Sequence, residues 1–181
     1  DMIAEDEPLD DLLPVFAALL KDTKPRIRAI AAWVMATRAP TEYADAVAEL
    51  RDDREVVWRD EQVGDFAMWA LVRMDDPRCV EALQHRFADE LPSFTKYSSV
   101  TTGHPPVLHV MLANAAQFAD DLLPVLTRHL VPGEANQVHE LTRLFTAWGP
   151  AAKPAEQALA HLAEADPHFR AWCEEAVEVI R

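Results

Sequence analysis

Asp10-Asp11-Leu12-Leu13-Pro14-Val15 recurs letter for letter as Asp120-Asp121-Leu122-Leu123-Pro124-Val125, and apolar residues at helical spacing follow both copies. An aspartate before Leu-Leu is suited to cap a helix, because its carboxylate accepts hydrogen bonds from the unpaired N–H groups of the first turn. A proline in that first turn costs little, because its missing N–H had no partner there. The duplicated helix start indicates internal repetition, which must be settled before the fold is assigned.

A second helix is predicted after the first in each repeat, and it carries an apolar stripe. Three, four, seven and eight residues after each anchor position the side chains are mostly apolar, which is the spacing of one face of an amphipathic helix. The anchors lie 31 to 44 residues apart, an interval typical of two-helix repeats. The five anchors are Ile27, Val63, Val107, Val138 and Phe169.

The repeat predicts an all-α chain in which each unit is a helical hairpin. A single hairpin cannot bury its own stripe, so we expect stacking on neighbouring units to form the core. No segment shows the sustained alternation typical of a strand, and the whole chain has only four glycines. We predict one domain over residues 1–181, with hairpins at about 9–38, 41–74, 77–118, 120–148 and 151–180.

The turn between the two helices of the first unit has a recognisable pattern. Leu12-Leu13-Pro14 is followed by Asp22 in the turn and by Ile27-Arg28 at the start of an alanine-rich helix. This arrangement resembles the HEAT repeat family, which implies a right-handed α-α superhelix, or solenoid, of about five HEAT-like hairpins. The resemblance implies no particular chemistry, because this fold serves many functions. The last unit repeats the turn with Asp166-Pro167 and Phe169-Arg170. The middle units lack the arginine and have Gly64, Leu108 and His139 in its place.

The chain is strongly acidic, with 31 acidic and 17 basic side chains and a formal net charge of -14. Such a surface repels nucleic-acid phosphates and anionic membranes, and no run of Lys and Arg offsets it. Cys79 and Cys173 follow no metal-ligand or redox spacing, and no secretion signal or bilayer-length apolar run is evident. We therefore expect a cytoplasmic chain with no cofactor and no metal. The acidic opening from Asp1 to Glu7 is compatible with a piece cut from a longer protein.

One interval between anchors is longer than the others and contains a predicted loop at about 90–106. The loop is rich in Ser, Thr, Pro and Gly and carries Phe94, Tyr97 and His104. Long loops on a rigid scaffold are common places for binding residues, so these three side chains are candidates for contact with a partner. The alternative is an insertion without function, or a loop whose aromatic rings fill the groove between repeats.

Trp33 and Trp69 occupy equivalent places, each six residues after its anchor. That spacing places both rings well round the helix from the centre of the apolar stripe. If the second helices line a concave face, as in the HEAT family, the two rings stand side by side on it. Tryptophans are common anchors of protein interfaces. The alternative is that both rings are buried between neighbouring repeats.

Asp65 lies close to this tryptophan pair in the helical register. Trp33, Asp65 and Trp69 are similar to the tryptophans and aspartate of the HEAT-like alkylpurine DNA glycosylases, which implies an enzyme acting on nucleic acid as one alternative. The net charge opposes this alternative, because phosphate contacts supply most of the affinity of such proteins for DNA.

A second enzymatic hypothesis rests on His109, His139 and Glu140. The pair His139-Glu140 resembles the dyads of the HEAT-repeat metal hydroxylases, but those enzymes need the dyad several times and this chain has it once. No iron site is therefore predicted. A third hypothesis is a small-molecule-binding HEAT protein similar to the phycobilin lyase subunits.

The function that we expect is a non-catalytic protein–protein interaction or scaffold module, because the sequence contains no catalytic constellation. A basic protein or peptide is the expected partner by charge complementarity. The partner-binding residues predicted from the sequence are Trp33, Trp69, Asp65, Phe94, Tyr97 and His104.

Overall fold

The computed structural model of the chain describes residues 10–58, 61–88 and 107–181, with side chains from residue 110 onward in the last range. The described residues are mostly helical, which confirms the prediction of a helical chain. None of the described helices is long and apolar enough to cross a membrane. The helices are α1 (Leu13–Leu19), α2 (Pro25–Arg38), α3 (Ala44–Ala48), α4 (Val63–Arg73), α5 (Arg78–Phe87), α6 (Val107–Ala113), α7 (Ala119–Leu126), α8 (Ala135–Trp148), α9 (Glu156–Ala165) and α10 (Arg170–Ile180).

The chain divides into two compact units, Asp1–Cys79 and Val80–Arg181. Helices α1 to α4 belong to unit 1, and α6 to α10 belong to unit 2. The arrangement of all five hairpins in one continuous superhelix stays a prediction.

In unit 1, α1 packs on α2, and α2 packs along α4. Pro25 occupies the first turn of α2, where a proline disturbs no hydrogen bond. The helix ends where Ala39 adopts a left-handed conformation with φ 52° and donates its N–H to the Met35 carbonyl. Six small or apolar side chains of α2 are buried: Ala29, Ala31, Ala32, Val34, Met35 and Ala36.

Arg28 joins the first turn of α2 to the segment that precedes α4. Its Nε donates to Asp53 Oδ2 at 2.9 Å, its Nη1 to the Asp22 carbonyl at 2.8 Å, and its Nη2 to Glu55. Burial by itself lowers the pKa of Arg28, but the hydrogen bonds and charges of Glu55 and Asp53 outweigh that effect and raise it. The guanidinium therefore remains charged and holds the two segments together.

The segment before α4 contains a small β-hairpin that the sequence analysis did not predict. Strand β1 (Val56–Trp58) pairs antiparallel with β2 (Glu61–Gln62), and in β1 only Val57 is buried. Val-Val-Trp favours a strand through β-branched and aromatic side chains, but three residues are too few to show alternation. Gly64 follows directly, and a Cβ there would lie 2.7 Å from the Arg51 carbonyl oxygen.

In unit 2, α10 packs against both α8 and α9. The core includes Trp148, whose Nε1 donates to the Leu112 carbonyl at 2.8 Å, so this buried indole has its hydrogen-bond partner. Two threonines interrupt the apolar stripe of α8, and each hydroxyl donates to a carbonyl of its own helix. These bonds are Thr142 Oγ1 to His139 O at 2.9 Å and Thr146 Oγ1 to Thr142 O at 2.8 Å. The backbone thus satisfies both hydroxyls where they interrupt the apolar stripe.

Candidate functional site

Helices α2 and α4 start at the same level, because Asp53 contacts the first turn of both. Its carboxylate accepts from Arg28 Nε on α2, and its carbonyl accepts from the Gly64 N–H on α4 at 2.8 Å. Residues of α4 therefore lie beside the residues of α2 that are 36 positions earlier, which is the offset predicted from the anchors. Trp33 and Trp69 fall at the same level by this offset.

Each of these two helices is exposed along one narrow strip only. On α2 the strip contains Arg26, Ile30, Trp33 and Thr37, which recur at three- or four-residue spacing and so share one face. The corresponding positions of α4 are Gln62 at its N-cap, Phe66, Trp69 and Arg73; Phe66 is buried, whereas Trp69 and Arg73 keep contact with solvent. The two helices correspond position by position, and on both the tryptophan and the residue one turn after it keep contact with solvent.

Trp33 and Trp69 are both half-buried, which lies between the two alternatives that the sequence left open. Among the described residues neither ring contacts another aromatic ring. The Nε1 of Trp69 is buried and donates no hydrogen bond to any residue that the structure describes. Packing alone therefore sets the orientation of the Trp69 ring, in contrast to Trp148, whose indole N–H is held by a carbonyl.

Trp58 adds a third tryptophan, which the sequence analysis did not include among the binding residues. It is 38% exposed, and its ring meets Phe66 edge-on with centroids 5.5 Å apart. Phe66 lies one turn before Trp69 on the same face of α4, so Trp58 extends that strip beyond the helix. The β-hairpin carries Trp58 to this position. The signal in the sequence that could have indicated Trp58 is an aromatic residue next to a predicted repeat turn.

Ile30 completes an exposed apolar group on these helices. It is 41% exposed and stands one turn before Trp33, at the position of α2 that corresponds to Phe66 on α4. The ring of Trp58 lies against Phe66, which is buried, whereas Ile30 is exposed. We define the aromatic surface as Ile30, Trp33, Trp58 and Trp69.

Asp65 does not belong to this surface, so the expectation that it would face a partner beside the tryptophans is wrong. The side chain is fully buried, and its Oδ2 accepts the backbone N–H of Gln62 at 2.8 Å. The Gln62 side chain in turn accepts an N–H from the first turn of α4, which completes a capping box. A carboxylate in this position stabilises the start of its own helix, and it lends no support to a glycosylase-like combination with Trp33 and Trp69.

The three loop candidates, Phe94, Tyr97 and His104, lie outside the described residues. The side chain of His109 lies outside them as well. Within the described ranges no group of three or more His, Cys, Asp or Glu side chains is arranged to hold a metal ion.

Two further groups have chemistry that a site could use, but neither forms a reactive centre. Burial raises the pKa of the Cys79 thiol to about 12 and that of the Cys173 thiol to about 11, so both are protonated at neutral pH. His139 lies 4.8 Å from the Trp172 ring and 4.0 Å from Glu140, a spacing that exceeds hydrogen-bond distance. This group contributes packing between α8 and α10.

Charges of both signs lie next to the aromatic surface, with the exposed Arg26 and Arg73 on the two helices and carboxylates in the segment before β1. Asp52 and Glu55 are largely exposed in the segment that leads into β1 and Trp58. Glu55 pairs with Arg28, and Asp52 lies 3.2 Å from the Nε of Arg51. Exposed pairs of this kind stay open to solvent and to an incoming cation.

Comparisons of the chain with protein-family models, with curated proteins and with solved structures find no match.

Proposed function

We propose that this chain is a non-catalytic protein-interaction module of the HEAT-like α-solenoid type, and that it binds its partner through the aromatic surface. One observation carries the proposal: two neighbouring helices, level with each other, are each exposed along a single strip, and each strip has a tryptophan at the same position. A helix buried on every other side offers a rigid base, so the two rings are presented at a fixed spacing.

The partial exposure of Trp33, Trp58 and Trp69 fits an interface anchor better than a core residue. Tryptophan and its neighbours dominate the energy of many interfaces, where they fill pockets and lose their remaining contact with water. Trp33 and Trp58 still have surface to lose on binding. Trp69 brings an indole N–H that has no acceptor among the described residues, so a turn of its side chain towards a partner's carbonyl gains a hydrogen bond without losing one of those described.

The charge supports a basic partner. The net charge of -14 and the exposed carboxylates of Asp52 and Glu55 attract a positively charged protein or peptide and increase its rate of association. The contribution of such rim charges decreases with salt, whereas the contribution of the rings does not. Two unpaired cysteines support a cytoplasmic location, which we include in the proposal.

The proposal is tested by affinity capture from a native lysate with the parent chain and two variants. Trp33→Ala/Trp69→Ala removes the paired rings, and Val131→Ala/Val179→Ala removes two exposed apolar side chains of unit 2 as a matched control. We expect one protein to bind stoichiometrically to the parent and the control and to be lost from the tryptophan variant. Titration of that purified protein then gives the affinity of each variant at low and high salt.

Stability measurements separate binding from packing in the same variants. If the rings are anchors, the tryptophan variant keeps its helicity and nearly all of its melting temperature. A loss of about 3–5 kcal/mol for each ring, the cost of emptying a core site, would assign both tryptophans to the core and reject the proposal. Equal capture by all three chains would reject it as well.

A further inference from the structure

Trp69 differs from the buried tryptophan of unit 2 in the state of its indole nitrogen. Trp148 Nε1 donates to the Leu112 carbonyl at 2.8 Å, so that ring is held both by packing and by a hydrogen bond. Trp69 Nε1 is also buried, but it has no acceptor among the described residues. Within the described ranges, the indole N–H of Trp69 therefore forms no hydrogen bond in the free chain.

A buried donor without an acceptor opposes folding. The unfolded chain hydrates this N–H, and the folded chain removes the water without supplying a carbonyl in exchange. The rest of the indole contributes as any aromatic ring does, through the apolar area that it buries. A ring of the same size without the N–H would therefore serve the fold of unit 1 at least as well as the tryptophan at position 69 does.

The ring of Trp69 lies where its N–H can be turned towards a bound protein. Trp69 keeps contact with solvent although its Nε1 does not, so the solvent meets another part of the residue. Rotation about the bond between Cβ and the ring exchanges the two edges of the indole, and this torsion is broad and roughly two-fold. An N–H turned outward at this place would enter the contact between the aromatic surface and the protein that covers it.

We propose that Trp69 determines the specificity of the aromatic surface by donating its indole N–H to a backbone carbonyl of the partner protein, a hydrogen bond that forms only in the complex. This inference rests on the proposed function, because it assigns a role within the same surface. A carbonyl is the expected acceptor, since a chain with a net charge of -14 opposes the approach of a carboxylate. Trp33 contributes apolar area, because its nitrogen is not both buried and unpaired. A protein that places only apolar groups against Trp69 leaves the N–H without an acceptor and binds more weakly.

The experiment replaces single tryptophans by benzothienylalanine, in which a sulfur atom takes the place of the indole N–H and the ring keeps its shape. The amino acid is introduced at position 69, at position 33 or at position 148 of the otherwise unchanged chain. The variant at position 33 controls for the change in ring chemistry on the same surface. The variant at position 148 controls for the loss of an N–H that has an acceptor within the chain.

Urea unfolding of the free chains, followed by circular dichroism, tests whether the N–H of Trp69 is unpaired before binding. We expect the variant at position 69 to have the midpoint of the parent or a higher one, because it loses no hydrogen bond of the described residues. The variant at position 148 should have a lower midpoint, because the Leu112 carbonyl loses its donor. A midpoint at position 69 as low as that at position 148 would overturn the inference, by showing that the N–H is already paired in the free chain.

The binding probe is the protein that the parent chain retains from the lysate, purified and titrated against each variant. We expect the variant at position 69 to bind it about tenfold more weakly than the parent, and the variant at position 33 to bind within about twofold of the parent. The loss is large for a neutral hydrogen bond because the N–H gives up no bond to water on binding. In a chain with isotope-labelled tryptophan, the indole proton resonance of Trp69 should move downfield in the complex, whereas that of Trp148 should stay in place. The resonance that is missing from the variant at position 69 assigns Trp69.

The binding results distinguish a failure of this inference from a failure of the proposed function. Equal binding by the parent and the variant at position 69, with loss of binding in Trp33→Ala/Trp69→Ala, would overturn the inference and leave the aromatic surface as the binding site. Undiminished binding by Trp33→Ala/Trp69→Ala would reject the surface itself, and the inference with it. A parent chain that retains no protein has the same consequence for both.

Discussion

Replacement of Arg28 by methionine removes the contact that sets α2 and α4 level. Methionine keeps most of the aliphatic stem and its packing, so the change isolates the guanidinium. Its Nη2 lies 2.7 Å from Asp53 Oδ2, and the two side chains are only 13% and 15% exposed. In the variant the Asp53 carboxylate and the Asp22 carbonyl both lose a donor at a partly buried position.

The expected cost is about 2–3 kcal/mol of the free energy of unfolding. Removal of one partner from a buried pair costs about 3–5 kcal/mol, and a hydrogen bond to a charged group contributes about 1.5–3 kcal/mol. We take the lower part of these ranges because both groups retain some contact with water. The pair with Glu55 adds little, since that carboxylate is 59% exposed.

Urea unfolding followed by tryptophan fluorescence measures this cost in unit 1, which contains three of the five tryptophans. With a slope of about 1–3 kcal/mol per molar, the midpoint moves down by about 1 M. Asp53→Asn completes a double-mutant cycle, in which we expect a coupling of at least about 1 kcal/mol between the two side chains. A loss below about 0.5 kcal/mol in Arg28→Met, or additive effects in the cycle, would refute the conclusion that the contact of Arg28 with Asp53 holds α2 and the segment before α4 together.

Three further predictions concern other contacts of the chain. Gly64→Ala should destabilise unit 1 by about 1–3 kcal/mol in urea unfolding, because its Cβ meets a backbone carbonyl at 2.7 Å; a neutral effect would contradict that crowding. Cys79 and Cys173, with thiol pKa values raised by burial, should react slowly with a disulfide reagent at pH 8 in the folded chain and rapidly in denaturant; equal rates would show exposed thiols. The hydrogen bond from Arg78 lowers the pKa of Asp76 below its ordinary value of 3.8. The ionised Asp76 therefore stabilises the folded chain fully above pH 3.8, and this stabilisation is lost as the pH falls through the lower pKa of the folded state. Asp76→Asn should therefore be less stable than the parent at pH 7, and the difference should narrow in acid melts below about pH 4.

The part of the fold that the sequence predicted is the part that periodicity determines. The apolar spacing after Ile27 and Val63 located α2 and α4 and gave their offset, because a helix that packs on its neighbours needs an apolar face at that period. The same spacing placed Trp33 and Trp69 at one level. Both features follow from the order of residues along one helix, so no long-range contact had to be known.

Features that depend on contacts between segments were not predicted. Asp65 lies off the apolar stripe of α4 and was expected to face a partner, but its side chain is fully buried and caps the helix. The exposed position of Trp58 was not predicted, because its β-hairpin is too short to show a strand pattern in the sequence. Leu12 and Leu122 are the clearest case, since identical local sequences differ in burial through their neighbours alone.

Arginine at position 28 and glycine at position 64 are two parts of one arrangement. They occupy equivalent positions in α2 and α4, 36 residues apart. In the sequence, glycine at position 64 is a departure from the hydrophobic-arginine pair of the first repeat. The Asp53 carbonyl oxygen lies 3.0 Å from where a Cβ of residue 64 would be, so any side chain there would push this segment away from α4. With glycine, the segment packs closely enough for the Asp53 carboxylate to reach Arg28 on α2. One guanidinium thus fixes the position of two helices, and because of this the tryptophans on their exposed strips lie at the same level.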